Sequence, residues 1–155
     1  MNERAINPEL SGEGAHVGIA VANWNRTITD KLLEGARKRC AELDVAEVTV
    51  VRVPGALELP LATKKLAHSR CDVVVAIGAV VKGETDHYET VVRESAAGIA
   101  QVALETGVPI GNAILAVHDF SQAIERAGEG DANKGVEAVE AVLRAWLAFE
   151  ELEQI

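Results

Sequence analysis

Four short apolar runs punctuate the chain, at Val17–Ala22, Val48–Val53, Cys71–Ile77 and Val108–Val117. Each has the length of a strand. The first, Val-Gly-Ile-Ala-Val-Ala, is apolar throughout rather than alternating, the pattern of a parallel strand covered on both faces. After each run the apolar period changes to that of a helix. Ile28, Leu32, Ala36, Cys40 and Leu43 fall on one stripe. Leu57, Leu61, Leu66 and Ala67 suggest a second helix, and Val91, Val92, Ser95, Ile99 and Val102 the buried side of a third. Phe120–Ala127 reads as a short helix and Asn133–Glu153 as a long one. Such alternation implies a parallel sheet joined by right-handed crossovers. The expected class is α/β, a flavodoxin-like three-layer sandwich on a four-stranded parallel sheet.

The punctuation fits. Thr27 is placed to cap the first helix, and Pro60 is tolerable in the first turn of the second. Asp86 and Glu89 have the spacing of a capping box at the start of the third, and Gly107 ends it. The final helix carries two apolar rows: Val139, Val142, Trp146 and Phe149, and a small-residue row of Ala138, Ala141, Ala145 and Ala148. A helix apolar on two sides packs on more than its own sheet, or is wholly buried in one chain; the first reading points to an oligomer. Residues 1–16 form an N-terminal arm in which Pro8, Gly12 and Gly14 break any helix. The arm is either a loose tail or an extra strand added to a neighbouring subunit's sheet. Residues 17–155 are expected to be a single domain.

Charge and composition remove several classes. Fifteen basic residues stand against 24 acidic ones, a net charge of −9, which disfavours nucleic acid and anionic membrane as partners. No apolar run nears the ~20 residues of a membrane span, and the first residues lack the pattern of a signal peptide, so a cytoplasmic protein is expected. Cys40 and Cys71 lie far apart in apolar patterns and read as reduced core residues. GxGxxG, Walker A, CxxC and HExxH motifs are all absent, which counts against nicotinamide, nucleoside triphosphate and zinc chemistry.

In such a sheet the site lies beyond the carboxyl ends of the strands. After the first strand comes Trp24, the sole aromatic of a polar loop. After the second comes Pro54-Gly55-Ala56-Leu57-Glu58. The third runs into Gly78–Tyr88, a glycine-bounded loop before a helix start, with Gly83, Thr85 and His87. Free N–H groups and the helix dipole favour an anion there. After the fourth come His118 and Asp119, and Arg126 and Lys134 flank a later turn. An anion cradle beside an imidazole suggests an enzyme for a phosphorylated small molecule. The plainer readings stand beside it: Trp24 as packing, Glu58 as a helix cap, and His87, His118, Arg126 and Lys134 as surface groups.

The segments together resemble the 6,7-dimethyl-8-ribityllumazine synthase family of riboflavin biosynthesis. The matching pieces are Val53-Pro54-Gly55-Ala56-Leu57-Glu58-Leu59-Pro60, Gly78-Ala79-Val80-Val81-Lys82-Gly83-Glu84-Thr85-Asp86-His87, Gln122–Gly128 and Asn133-Lys134-Gly135. Four motifs in the family's order and spacing are highly specific. The resemblance implies a cofactor-free condensation of 5-amino-6-(D-ribitylamino)uracil with 3,4-dihydroxy-2-butanone 4-phosphate, releasing phosphate and water. It implies a homopentamer, in some members a shell of twelve pentamers, with sites between subunits.

Residue by residue, it implies that Trp24 stacks on the pyrimidine, where many members have Phe, and that Ala56 contacts substrate through its backbone. Glu58 would hold ribityl hydroxyls, and Val80 and Val81 line the ring pocket. Gly83, Glu84 and Thr85 would cradle the phosphate, and His87 move protons. Asn112 would lie near the ring, where many members carry Phe. Arg126, on the phosphate, and Lys134 would come from the adjacent subunit. Asn25, Leu57 and Lys82 complete the implied substrate-binding set. The chain departs from the family at Glu84, a carboxylate beside the phosphate loop, and after the fourth strand, where many members have Leu-Thr-Thr and this chain has Leu115-Ala116-Val117 and then His118-Asp119-Phe120. A non-catalytic flavin- or lumazine-binding shell protein, and an archaeal-type riboflavin synthase, are the competing functions.

Overall fold

The computed structural model describes residues 1–155. Four strands, β1 (His16–Ala22), β2 (Glu47–Val53), β3 (Val73–Val81) and β4 (Ile110–Val117), form one parallel sheet in the order β2-β1-β3-β4. The helices are α1 (Arg26–Glu42), α2 (Leu59–Ala67), α3 (His87–Thr106), α4 (Phe120–Arg126) and α5 (Lys134–Glu153). The order reverses at β1, so the loops after β1 and β3 open side by side, as expected of a doubly wound sheet.

Side-chain alternation along the strands divides the core. Ile19, Val21, Val73, Val75, Ile77 and Leu115 face α1 and α5 and pack with Leu32, Leu33, Val139 and Leu143. Ala20, Ala22, Val74 and Ala76 face the other way and pack with Leu59, Leu66, Val91 and Ile99 of α2 and α3. Burial on both faces explains why β1 and β3 read as unbroken apolar runs.

Several boundaries differ from the sequence pattern. β3 does not stop at Ile77. Gly78–Val81 stay in the strand, paired from Gly78–Ile114 to Val81–Val117 of β4, so the loop begins only at Lys82. Thr27 lies inside α1; the N-cap is Asn25, in a left-handed conformation, and its side chain makes no capping bond. A 3-10 turn, Ala56–Glu58, precedes α2, with Pro60 in the first turn as expected. Leu57 and Leu61 are exposed, and Leu59, Ala62, Thr63 and Leu66 form the buried stripe instead. Asp86 is the N-cap of α3 but makes no side-chain bond. Its ψ of 1° is not the extended backbone from which a capping carboxylate reaches forward, so the capping box does not form. Thr85 Oγ1 accepts from the His87 N–H instead, at 3.4 Å. Gly107, at φ 72°, ends α3. On α5, Ala138 is buried, Ala145 and Ala148 are half-buried, and Ala141 and Phe149 are exposed.

Residues 1–12 carry no strand or helix. The chain joins the body at Gly12, whose N–H donates to the Leu43 carbonyl at 2.7 Å, and Leu10 packs on the larger core. Cys40 and Cys71 are buried and free, as expected. No helix is long and apolar enough to cross a membrane.

Candidate active site

Beyond the carboxyl ends of β1, β2 and β3 lies a cavity of about 560 Å³. Three separate loops build it. The turn after β1 supplies Trp24 and Asn25. The turn after β2 supplies Pro54, Gly55, Ala56, Leu57 and Glu58. The end of β3 and the start of α3 supply Ala79, Val80, Val81, Gly83, Thr85, His87 and Tyr88. Ala22 and Val91 complete its lining. Ten of the residues implied by the resemblance therefore meet: Trp24, Asn25, Ala56, Leu57, Glu58, Val80, Val81, Gly83, Thr85 and His87.

The turns are held by backbone bonds. Asn23 and Trp24 donate their N–H groups to the carbonyls of Val53 and Pro54, at 2.8 and 3.0 Å. That pins the β1–α1 turn to the β2 end. Nothing comparable holds the indole, which is 75% exposed at the cavity mouth. The Glu58 carboxylate accepts the Gly55 N–H at 3.0 Å. Helix-start capping and substrate contact are thus compatible readings of Glu58, since a carboxylate has several lone pairs.

The loop between β3 and α3 leaves a cluster of backbone donors free. The N–H groups of Gly83, Glu84, Thr85 and Asp86 make no hydrogen bond inside the chain. They lie at the amino end of α3, a 20-residue helix whose dipole adds positive potential. Lys82 is tied elsewhere by its backbone, donating its N–H to Val117. The side chains of Lys82 and Glu84 are exposed and do not line the cavity. Glu84 therefore need not oppose an anion held by backbone groups.

Arg126, Lys134 and Asn112 stand apart from this cavity. Arg126 ends α4, exposed, with Nη1 donating to the Gln122 carbonyl at 3.1 Å. Lys134 pairs with Glu137 at 3.0 Å. Asn112 is exposed on edge strand β4, its Oδ1 accepting from the Ile114 N–H. The cavity consequently has no Lys or Arg of its own chain in its wall.

Sequence spacing alone does not single out Ala22, Ala79, Tyr88 or Val91. Tyr88 follows His87, and its ring meets that of His118 edge-on, centroids 6.1 Å apart. His118 and Asp119 belong to the next turn, where the Asp119 side chain caps α4 by accepting from the Gln122 N–H at 3.2 Å. The Ser121 hydroxyl and the Gln122 and Ser121 N–H groups hold the Asp119 carboxyl below its ordinary range. No group of three His, Cys, Asp or Glu side chains is placed to hold a metal ion. A second hollow of about 590 Å³ lies between α1 and the α4–α5 link, but only two of its 13 wall residues are hydrophobic. Its one buried polar side chain, Asn133, spends both ends of its amide on backbone groups.

The family model described as 6,7-dimethyl-8-ribityllumazine synthase matches residues 14–150. A 6,7-dimethyl-8-ribityllumazine synthase of Nitratidesulfovibrio vulgaris (strain DP4) is 42% identical over 155 residues, covering 96% of this chain and 97% of the relative. One from Thermococcus kodakarensis is 45% identical and covers 92% of each chain. One from Kineococcus radiotolerans is 44% identical, over 91% of this chain and 89% of its own. Matched by the family model over residues 14–150 and by its members along nearly its whole length, the chain belongs to the 6,7-dimethyl-8-ribityllumazine synthase family.

Proposed function

We propose that this cavity condenses 5-amino-6-(D-ribitylamino)uracil with 3,4-dihydroxy-2-butanone 4-phosphate to give 6,7-dimethyl-8-ribityllumazine, phosphate and water. The observation that carries the assignment is the meeting of Trp24, Glu58, the Gly83–Thr85 loop and His87 around one hollow. The indole offers a flat face to the pyrimidine. Glu58, beside the Ala56 backbone, accepts from ribityl hydroxyls. The free N–H groups at the start of α3 bind the phosphate dianion. The amine of one substrate adds to the carbonyl of the other, and water leaves as the imine forms. Phosphate is then eliminated, the ribityl-bearing nitrogen adds to the carbonyl so generated, and a second water leaves as the ring closes. Each step moves a proton near neutral pH, the work of an imidazole, and His87 stands in the wall for it.

The wall's lack of a cation supports a shared site. A phosphate in a chain of net charge −9 calls for local positive charge. Arg126, on the outside of α4, supplies it from the neighbouring subunit, its guanidinium suited to two hydrogen bonds on one phosphate. Asn112 and Lys134 reach the same site that way. The assembly is a homopentamer in the cytoplasm, and light scattering distinguishes it from a shell of twelve pentamers.

Mixing the two substrates with the protein tests the reaction. Lumazine fluorescence rising together with released phosphate, one for one, is the expected result. Ring binding without phosphate release would support the non-catalytic reading instead.

A further inference from the structure

We propose that Asn25 is a positioning residue: its side-chain amide takes the rung of the sheet that β1 abandons, and so fixes the turn that presents Trp24. This rests on the function proposed above only for what Trp24 then does.

The sheet itself shows the gap. Pairing between β1 and β3 stops at Val21–Ile77, while β3 continues to Val81. The N–H groups of Val74 and Lys82 donate to Pro109 and Val117, on the β4 side. Even-numbered positions of β3 therefore serve β4, and odd-numbered ones, Ala79 among them, face β1. Were β1 to run on in register, the Trp24 N–H would bond the Ala79 carbonyl. It has turned away to Pro54. Asn25 Nδ2 donates to the Ala79 carbonyl in its place, at 2.7 Å.

Two oddities of Asn25 follow from this one bond. It holds φ 59°, ψ 47°, a conformation that few side chains other than Asn and Gly adopt. It is also the N-cap of α1, yet it makes no cap bond with a side chain suited to one. Its carbonyl accepts from Ile28 and Thr29, so the start of the helix is anchored to β3 as well. Trp24 thus sits between two clamps, its backbone on the β2 side and Asn25 on the β3 side. For an indole with 75% of its surface exposed, packing supplies little orientation, and the clamps supply the rest.

The test uses Asn25→Gly, which keeps the left-handed backbone but removes the amide, and Asn25→Asp, which keeps the shape but removes the donor. Ligand-free Trp24 is observed by fluorescence anisotropy in a Trp146→Phe background. If that background does not fold, the difference against Trp24→Phe isolates the same signal. Anisotropy is expected to fall in both variants. In the wild-type background, KM for the pyrimidine substrate should rise about tenfold, with kcat and KM for the phosphate substrate within about threefold. Unchanged anisotropy in both variants overturns the proposal whatever happens to KM, because a residue that merely touched substrate would leave ligand-free Trp24 alone. Should the wild-type protein make no lumazine, the functional reading fails, and the anisotropy still decides the role of Asn25.

Discussion

Gly55 and Glu58 bond each other in both directions: the Gly55 N–H donates to Glu58 Oε2 at 3.0 Å, and the Glu58 N–H donates to the Gly55 carbonyl at 3.2 Å. One carboxylate oxygen is committed to the loop and the other is left for substrate. Glu58→Gln can keep the loop bond through its amide oxygen but presents an NH₂ group where a hydroxyl must donate. KM for the ribitylated substrate should therefore rise about tenfold while kcat stays within about threefold. Glu58→Ala also frees the loop and should lower kcat as well. Steady-state kinetics on both variants, with identical kcat, would show that the Gly55 pairing does not order the site.

Replacing His87 should slow the reaction without stopping it. The condensation joins two molecules, so holding them together supplies much of the acceleration, and the imidazole adds proton transfer to it. His87→Ala is expected to lower kcat by about 10- to 100-fold, at or below the least that a positioned acid–base group usually contributes. Complete loss of turnover in a folded variant would reverse the ranking of proximity over proton transfer.

A shared site makes a sharper prediction. On the proposed shared site, Arg126→Ala and His87→Ala each damage a different half. Mixed one to one before assembly, they should give pentamers in which about a quarter of sites combine an intact His87 with an intact neighbouring Arg126. Activity should rise well above that of either variant alone. Mixtures no more active than the parents would place Arg126 outside the neighbour's site.

Much of this was legible in the residues, and the exceptions have local causes. Period and length give all four strands and five helices, because burial on both faces leaves β1 and β3 no polar positions to blur the pattern. The end of β3 was hidden, since Gly78 reads as a breaker, yet β4 is long enough to hold Gly78–Val81 in the ladder. Leu57 and Leu61 look like core on period alone. They are exposed because the 3-10 turn at Ala56–Glu58 shifts the phase of α2 so that Leu59 and Leu66 face inward. The bond from Asn25 to Ala79 spans 54 positions and carries no sequence signature. Of the implied site, the motif residues of the three loops converge. Arg126 and Lys134, expected from a neighbour, do not join them, and Asn112, expected near the ring, lies outside the cavity on edge strand β4.

The thiols should be inert in the folded protein. Burial pushes the Cys40 thiol up to about 11, and burial also raises Cys71, beside Asp72 and Glu47. A raised value means less thiolate at any pH below it, so at pH 8 only about one Cys40 in a thousand is reactive, before any steric protection. Iodoacetamide at pH 8 should label neither cysteine in the native protein and both after denaturation, read by intact mass. Rapid native labelling of Cys40 would mean that α1 opens readily.

Asn133 is the polar keystone beneath the α4–α5 link that carries Arg126 and Lys134. It is 2% exposed. Its Nδ2 donates to the carbonyls of Lys31 and Ala127, and its Oδ1 accepts from the N–H groups of Gly135 and Val136, capping α5. Asn133→Ala leaves three backbone groups without a partner, the Ala127 carbonyl and two N–H groups at a helix start, while the Lys31 carbonyl keeps its place in the α1 ladder. The expected loss is about 2–4 kcal/mol, summed from a lost cap and buried groups left unpaired. Gly35→Ala should act in the same direction from the other side, because a Cβ there would lie 2.6 Å from the Asn133 amide and push it off its partners. Urea midpoints at a fixed subunit concentration measure both, so that any association of subunits weighs equally on each variant. If Asn133→Ala unfolds at the wild-type midpoint, water has replaced the amide, and the α4–α5 link does not depend on this side chain for its shape.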